Sequence, residues 1–243
     1  MPRRFARRDD QSNIREESKS RDVRETILNA TEDLLAQQRF DELSVADILS
    51  SAQVSRASFY FYFESKYSVL AELVRRAVKQ AHAVAQPWVE EEAESPERTL
   101  RQGTRQGLQL WIKYAPVLRA IVEHWRSDER LAALWMEMME GFTTAATHRI
   151  EHDRATGRAP ITDVDAHTLA SMLTWMSERI YYLAAIGHPA FRNEQQVTDA
   201  LTDVWLSVIY NGPPSTVNNG CKILTSARIK LPSAGRIIPT GKK

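Results

Sequence analysis

Apolar side chains recur at three- and four-residue spacing along most of the chain from Asp22 onward, a period that predicts amphipathic helices. Val23, Ile27, Ala30 and Leu34, with Leu28 and Leu35 beside them, mark a first helix. A short second helix is expected over 45–51, with Ser44 as its cap and Asp47 as the reciprocal partner of a capping box. A tight turn follows at Ala52-Gln53-Val54, and Ser55 can cap a third short helix. Neither short helix is stable alone, so neighbours must hold both. A long helix is expected from Lys66, behind a Ser65 cap, to about Gln86, with Val69, Leu70, Leu73, Val74, Ala77 and Ala81 on its apolar side. Pro87-Trp88 should end it.

The second half repeats the pattern. Ser95-Pro96 opens a helix to about Tyr114, Pro116 starts one through Trp125, and Asp128 opens a long one that stops at Gly157. Two more are expected over 163–186 and 193–210. These last two are apolar around most of their girth: Leu169, Met172, Leu173, Trp175, Met176 and Ile180 on one, and Val197, Leu201, Val204, Trp205 and Val208 on the other. Such helices are buried on more than one side, so one face should meet the core and the other a second copy of the chain. Burial within a larger monomeric core is the competing reading.

Composition narrows the class. Helix formers dominate and only nine of 243 residues are glycine, so the fold class is all-α. The formal charge of +1 means that any nucleic-acid surface must be a local patch. A lone cysteine, Cys221, excludes a disulfide framework. Neither a membrane-length apolar run nor a signal peptide is visible, and a soluble, cytoplasmic protein is expected. Residues 1–21, rich in arginine, read as a flexible basic arm that either only solubilises or adds phosphate or minor-groove contacts. Residues 212–243, rich in Pro, Gly and Ser, read as a disordered tail.

Chemistry concentrates in residues 44–66. Ser55, Arg56 and Ser58 are hydrogen-bond donors suited to base edges and phosphates, and Ala57 permits close approach. In the run Phe59-Tyr60-Phe61-Tyr62-Phe63, Phe59 and Phe63 should pack inward while Tyr60 and Tyr62 turn hydroxyls toward phosphates. Ser44 and Lys66, at two helix N-termini, are further candidates for phosphate contact. The alternative is an aromatic run that is merely core. The arrangement is that of a helix-turn-helix, whose second helix enters a DNA major groove.

The segment V-S-R-A-S-F-Y-F-Y-F-x-S-K, behind F-x-x-L-S-V-x-x-I at 40–48, resembles the TetR family of bacterial one-component repressors over roughly residues 22–75. The resemblance implies a three-helix DNA-binding domain (22–66), a larger helical ligand-binding and dimerisation domain (67–211), and a homodimer joined through 163–186 and 193–210 on a pseudopalindromic operator. Gln53 stands where the family's turn usually has glycine, and Tyr67 where an acidic residue commonly follows the lysine. In the second domain, T-W-M-S-E-R-I-Y-Y-L-A-A-I-G and A-L-T-D-V-W-L-S-V-I-Y-N-G resemble the EthR-type subgroup. This implies an apolar tunnel for a hydrophobic small molecule, lined by Trp111, Trp135, Phe142, Tyr182 and Trp205, with Tyr114 a further candidate among the aromatics of this domain. Its polar anchors would be Thr174 and Ser177, where that group has Asn. Ligand in the tunnel would widen the spacing of the two recognition helices and release double-stranded DNA.

One catalytic pattern competes. His148-Arg149-Ile150-Glu151-His152 matches H-x-x-E-H, which places two histidines on one helical face as a zinc hydrolase requires. Its setting at a solvated helix end, without a further acidic ligand, argues against it. No P-loop, nucleophile elbow, Rossmann fingerprint or paired cysteine motif occurs. Neither an enzyme nor a cofactor is therefore expected. A helical scaffold without DNA function is the remaining alternative.

Overall fold

The computed structural model describes residues 22–90 and 95–210, and among them the backbone forms nine α-helices and no strand. They are α1 (22–35), α2 (Val45–Ala52), α3 (Arg56–Tyr62), α4 (Lys66–Glu90), α5 (Pro96–Lys113), α6 (Ala115–His124), α7 (Glu129–Ala155), α8 (Ala166–Ala185) and α9 (Glu194–Tyr210). Single 3₁₀ turns lie at Trp125–Ser127 and Pro189–Phe191. The arm at 1–21 and the tail at 212–243 lie outside the described residues.

Local side-chain chemistry sets the helix starts. The Ser44 hydroxyl accepts the Asp47 N–H at 3.2 Å while Asp47 Oδ2 accepts the Ser44 N–H at 2.8 Å, closing the capping box of α2. Ser55 Oγ accepts the Ser58 N–H at 3.0 Å to open α3, and Asp128 Oδ1 accepts the Leu131 N–H at 3.0 Å to open α7. The α8 start differs from the expected Asp163: Asp165 is the cap, accepting the Thr168 N–H at 2.9 Å. Two aspartates two residues apart compete for that role, and the nearer one wins. The expected stop at Pro87 is also corrected, since α4 runs on to Glu90. Only three residues follow the proline, so the backbone bond that it cannot donate is lost within the final turn.

One apolar core runs from Ile27 and Leu28 of α1 through Ile48, Phe59, Leu70 and Val74 to Ile121, Leu131 and Trp135. Phe59 is fully buried and Phe63 nearly so, their rings 6.0 Å apart, and burying one such side chain stabilises by about 2–3 kcal/mol. α1 is further held to α4 by the Arg76 guanidinium, which bonds Asn29 at 3.1 Å, Glu25 at 3.3 Å and Glu32. A second core joins Leu100, Ile150, Ala170, Leu173, Trp205 and Ile209 across α5, α7, α8 and α9. Beside it the wholly buried Asp153 carboxylate meets Arg149 Nε at 2.8 Å, the Tyr210 hydroxyl at 2.7 Å and Arg158 Nη2 at 2.9 Å.

Burial along α8 and α9 is one-sided. Leu169, Ala170, Leu173, Thr174 and Ser177 face inward, whereas Met172 is 65% exposed, and Val204 and Val208 of α9 are also exposed. Apolar side chains on both helices are thus left uncovered by the other described residues.

Candidate nucleic-acid interface and ligand cavity

The turn between α2 and α3 is built on an unusual backbone. Gln53 adopts φ 52° and ψ 38°, the left-handed conformation that glycine reaches without strain. Its N–H bonds back to Leu49 O and ends α2 in one step, which turns α3 so that Phe59 points into the core. The opposite face of α3 presents Ser55, Arg56, Ala57, Tyr60 and Phe61 to solvent. Arg56 has no carboxylate partner among the described residues, and its guanidinium stands 6.0 Å from the Tyr60 ring centroid. Ser58, half-buried, shares its hydroxyl with Ser55 at 2.9 Å.

Three candidates sit differently from the sequence expectation. Tyr62 is half-buried and packs against the first core, so it is Tyr60 that stands on the open face. The Ser44 hydroxyl is engaged by Asp47, donating to Oδ2 at 2.6 Å while accepting its N–H. Lys66 is expected to meet a phosphate; instead its ammonium donates to Leu43 O at 2.7 Å, Phe40 O at 2.9 Å and Asp41 O at 3.4 Å. It also lies 4.8 Å from the Phe40 ring centroid. Partial burial pushes its pKa down, opposed by Asp41. Its role in this fold is to clamp the α1–α2 loop. Phe61 was not singled out from the sequence, yet it is 78% exposed beside Tyr60. A phenylalanine left open at the rim of a helix-turn-helix is suited to the apolar C5-methyl of thymine.

The second region is a cavity of about 190 Å³ enclosed by α5, α7, α8 and α9, with Val78 of α4 and Leu118 of α6 completing its wall. Trp111, Trp135, Phe142, Thr174, Ser177 and Trp205 all line it, whereas Tyr114 and Tyr182 do not. Tyr114 caps the junction of α5 and α6. On α8 the lining positions are 174, 177, 178 and 181, one face at three- and four-residue steps, which leaves Tyr182 a further 100° around. Its hydroxyl instead donates to Glu123 Oε1 of α6 at 3.0 Å. Tyr181 takes the inner place and donates to Thr104 O at 3.2 Å; burial pushes its hydroxyl pKa far up.

The space exists because α5 presents Gly103, Thr104 and Gly107 opposite these rings. A Cβ on Gly107 would lie 3.1 Å from the Tyr181 hydroxyl, so a larger residue there would press on the Tyr181 ring. Glycines inside a helix were the overlooked signal for a cavity. Ser177 Oγ accepts the Trp205 indole N–H at 2.9 Å, fixing α9 on α8. Glu178, also missed, lines the cavity while 5% exposed, and burial pushes its carboxyl up while Arg179 opposes.

Contacts connect the two regions. Phe40, under the Lys66 clamp, meets Tyr67 of α4 edge-on and His124 of α6 at a tilt, each at 5.3 Å between ring centroids. Arg39 lies 3.7 Å from Glu123, and Arg130 of α7 pairs with Glu64 just behind α3. Meanwhile His148, Glu151 and His152 are all exposed on α7, and no cluster of three or more His, Cys, Asp or Glu fit to hold a metal occurs among the described residues. No described helix is long and apolar enough to cross a membrane.

Comparison with known proteins agrees with this geometry. Residues 27–73 match the family described as bacterial regulatory proteins, tetR family, and residues 100–211 match the transcriptional regulator EthR, C-terminal domain. The HTH-type transcriptional regulator EthR of Mycolicibacterium smegmatis is 32% identical over 196 residues, covering 80% of this chain and 90% of that protein. Its counterpart from Mycobacterium tuberculosis is 33% identical over 193 residues, covering 79% and 89%. Among solved structures, a TetR-family regulator from Syntrophomonas wolfei superposes with TM-score 0.64 at 14% identity, covering 82% of this chain and 99% of that one. SmeT, the repressor of the Stenotrophomonas maltophilia multidrug efflux pump SmeDEF, gives 0.62 at 18% identity, covering 81% and 96%. At these identities the two structures speak for the fold alone.

Proposed function

The chain belongs to the TetR family, with a C-terminal domain of the EthR type, and we propose that it is a repressor released from its operator when an apolar small molecule fills the α5–α9 cavity. The observation that carries this reading is a single one: an apolar cavity whose wall includes Leu118 of α6, the helix that also touches the DNA-reading head through Glu123 and His124. On the head, Ser55, Arg56, Ala57, Tyr60 and Phe61 are the side chains that meet DNA, with Ser58 supporting Ser55. Arg56 supplies the charge and the bidentate donor, and Phe61 the apolar contact.

Two heads are needed for a pseudopalindromic site, and the uncovered apolar side chains of α8 and α9 provide the means. Met172, Val204 and Val208 are apolar yet exposed, and pairing them with a second copy across a two-fold axis gives a four-helix interface. The two recognition helices then address successive major grooves roughly 34 Å apart. The protein acts in the cytoplasm, where its DNA is.

The cavity volume bears on the mechanism. About 190 Å³ is below the roughly 300–1,000 Å³ typical of drug-sized ligand sites, so an elongated effector either parts the helices or extends out through the open side. Displacing α6 moves Glu123, and with it the α1–α2 loop on which the head rests. A coupling of about 1–3 kcal/mol suffices for such a switch. Gel-shift titration of the purified protein on its own upstream region, with sedimentation to establish the dimer, tests the reading; a monomer indifferent to that DNA would refute it.

A further inference from the structure

A buried carboxylate without a partner is costly, and folded proteins keep one chiefly where something else makes use of it. Glu178 comes close to this, with one oxygen unbonded and a single distant cation. Its side chain is 4% exposed, and Oε1 has no hydrogen-bond partner among the described residues. The nearest cation, Arg179, keeps its Nε 3.8 Å from Oε2 and has a side chain 55% exposed. Of the neighbouring hydroxyls, Tyr181 donates to Thr104 O, and Ser177 accepts the Trp205 N–H. The contrast with Asp153 is direct, because that equally buried carboxylate is met by two arginines and a tyrosine.

Glu178 is also a wall of the cavity, whose other surfaces are aromatic rings, aliphatic groups and small polar side chains. We propose that the effector of this cavity carries a protonated nitrogen, an amine or amidine, that pairs with Glu178 while its apolar part lies among Trp111, Trp135 and Phe142. This deepens, and rests on, the reading of the cavity as the effector site. A cation supplies both the missing donor and the missing charge, and the indole faces nearby favour it further. The same carboxylate turns away anionic amphiphiles of equal length, since two like charges in a dry site repel strongly. The cavity therefore discriminates by the sign of the head group as well as by apolar fit.

Three probes sharing one phenylbutyl chain isolate the head group: 4-phenylbutylamine, 4-phenylbutan-1-ol and 4-phenylbutanoate. Their affinities for the purified full chain are read at neutral pH from the fluorescence of the tryptophans lining the cavity. The expected result is that the wild type binds the amine at least tenfold more tightly than the alcohol, and the carboxylate most weakly. In Glu178→Gln the amine should lose that advantage while the alcohol binds as before. If amine and alcohol bind equally to the wild type, or if the preference survives in Glu178→Gln, the cation assignment is overturned while alcohol binding leaves the effector site standing. If none of the three probes perturbs the fluorescence, both readings fall together.

Discussion

Tyr182 of α8 donates its hydroxyl to Glu123 of α6 over 3.0 Å, and the same carboxylate lies 3.7 Å from Arg39 in the loop beneath the DNA-reading head. Tyr182 is one residue beyond Tyr181 in the cavity wall, so this pair of contacts spans from cavity to head. Burial pushes the Tyr182 hydroxyl pKa up, and its bond to Glu123 adds to that. The hydroxyl therefore stays a donor at neutral pH. Tyr182→Phe and Arg39→Ala should leave operator affinity within about threefold but make release by ligand several-fold less complete. Anisotropy titrations with and without a cavity ligand measure both quantities. Full release by both variants would mean that coupling travels elsewhere.

Three of the outward side chains on α3 should make separable contributions. Arg56→Ala should weaken operator binding by about 1–3 kcal/mol and lower the salt dependence of the affinity. Tyr60→Phe removes one hydroxyl contact and should cost about 0.5–1.5 kcal/mol. Phe61→Ala should reduce preference for thymine at the contacted position while shifting thermal stability by less than about 0.5 kcal/mol, because the ring is exposed. Unchanged binding by all three variants would move the interface off this face.

Gln53 offers a stability test that is independent of function. At φ 52° a side chain is strained, and Gln53→Gly should raise the unfolding free energy by about 0.5 kcal/mol once the greater freedom of unfolded glycine is subtracted. Chemical denaturation measures this directly. A loss of stability would show that the glutamine side chain makes compensating contacts.

Glu178 gives a pH signature. Burial raises its folded pKa above the ordinary value of 4.5, so over the window between the two the folded chain holds a proton that the unfolded chain has released. The carboxyl is therefore harmless below about pH 4.5, and stability falls as pH rises through the window. Glu178→Gln lacks this term. Its melting temperature should match the wild type in acid and exceed it at neutral pH, by about 1 kcal/mol of stability. A constant difference across pH would rule out titration of this group as the cause.

What the sequence made legible was largely local. Caps at Ser44, Ser55, Asp128 and the inward pair Phe59 and Phe63 depend on neighbours within four residues, and the structure has them as read. The strain at Gln53 was legible only through the family resemblance, which puts glycine at that point of the turn. Less legible were contacts set by distant parts of the chain. Lys66 is claimed by carbonyls about 25 residues upstream, which no helix-end rule anticipates. Tyr181 and Tyr182 are adjacent aromatics, and only the crossing of α5 over α8 decides which one faces inward. Gly107 sits against the Tyr181 ring at that crossing, and its absent side chain leaves no mark in a hydrophobic pattern.

The linkage between cavity and operator is tested most directly by filling the cavity covalently. A duplex enriched from a random pool by the wild-type protein should be an inverted repeat, and its affinity can then be compared for wild type and Thr174→Trp. With Thr174 in the cavity wall, the indole should occupy the ligand's space. The expected result is a variant that folds and dimerises as before yet binds the duplex at least tenfold more weakly. Equal affinities, or a pool that yields no enriched duplex, would contradict control of DNA binding from this cavity.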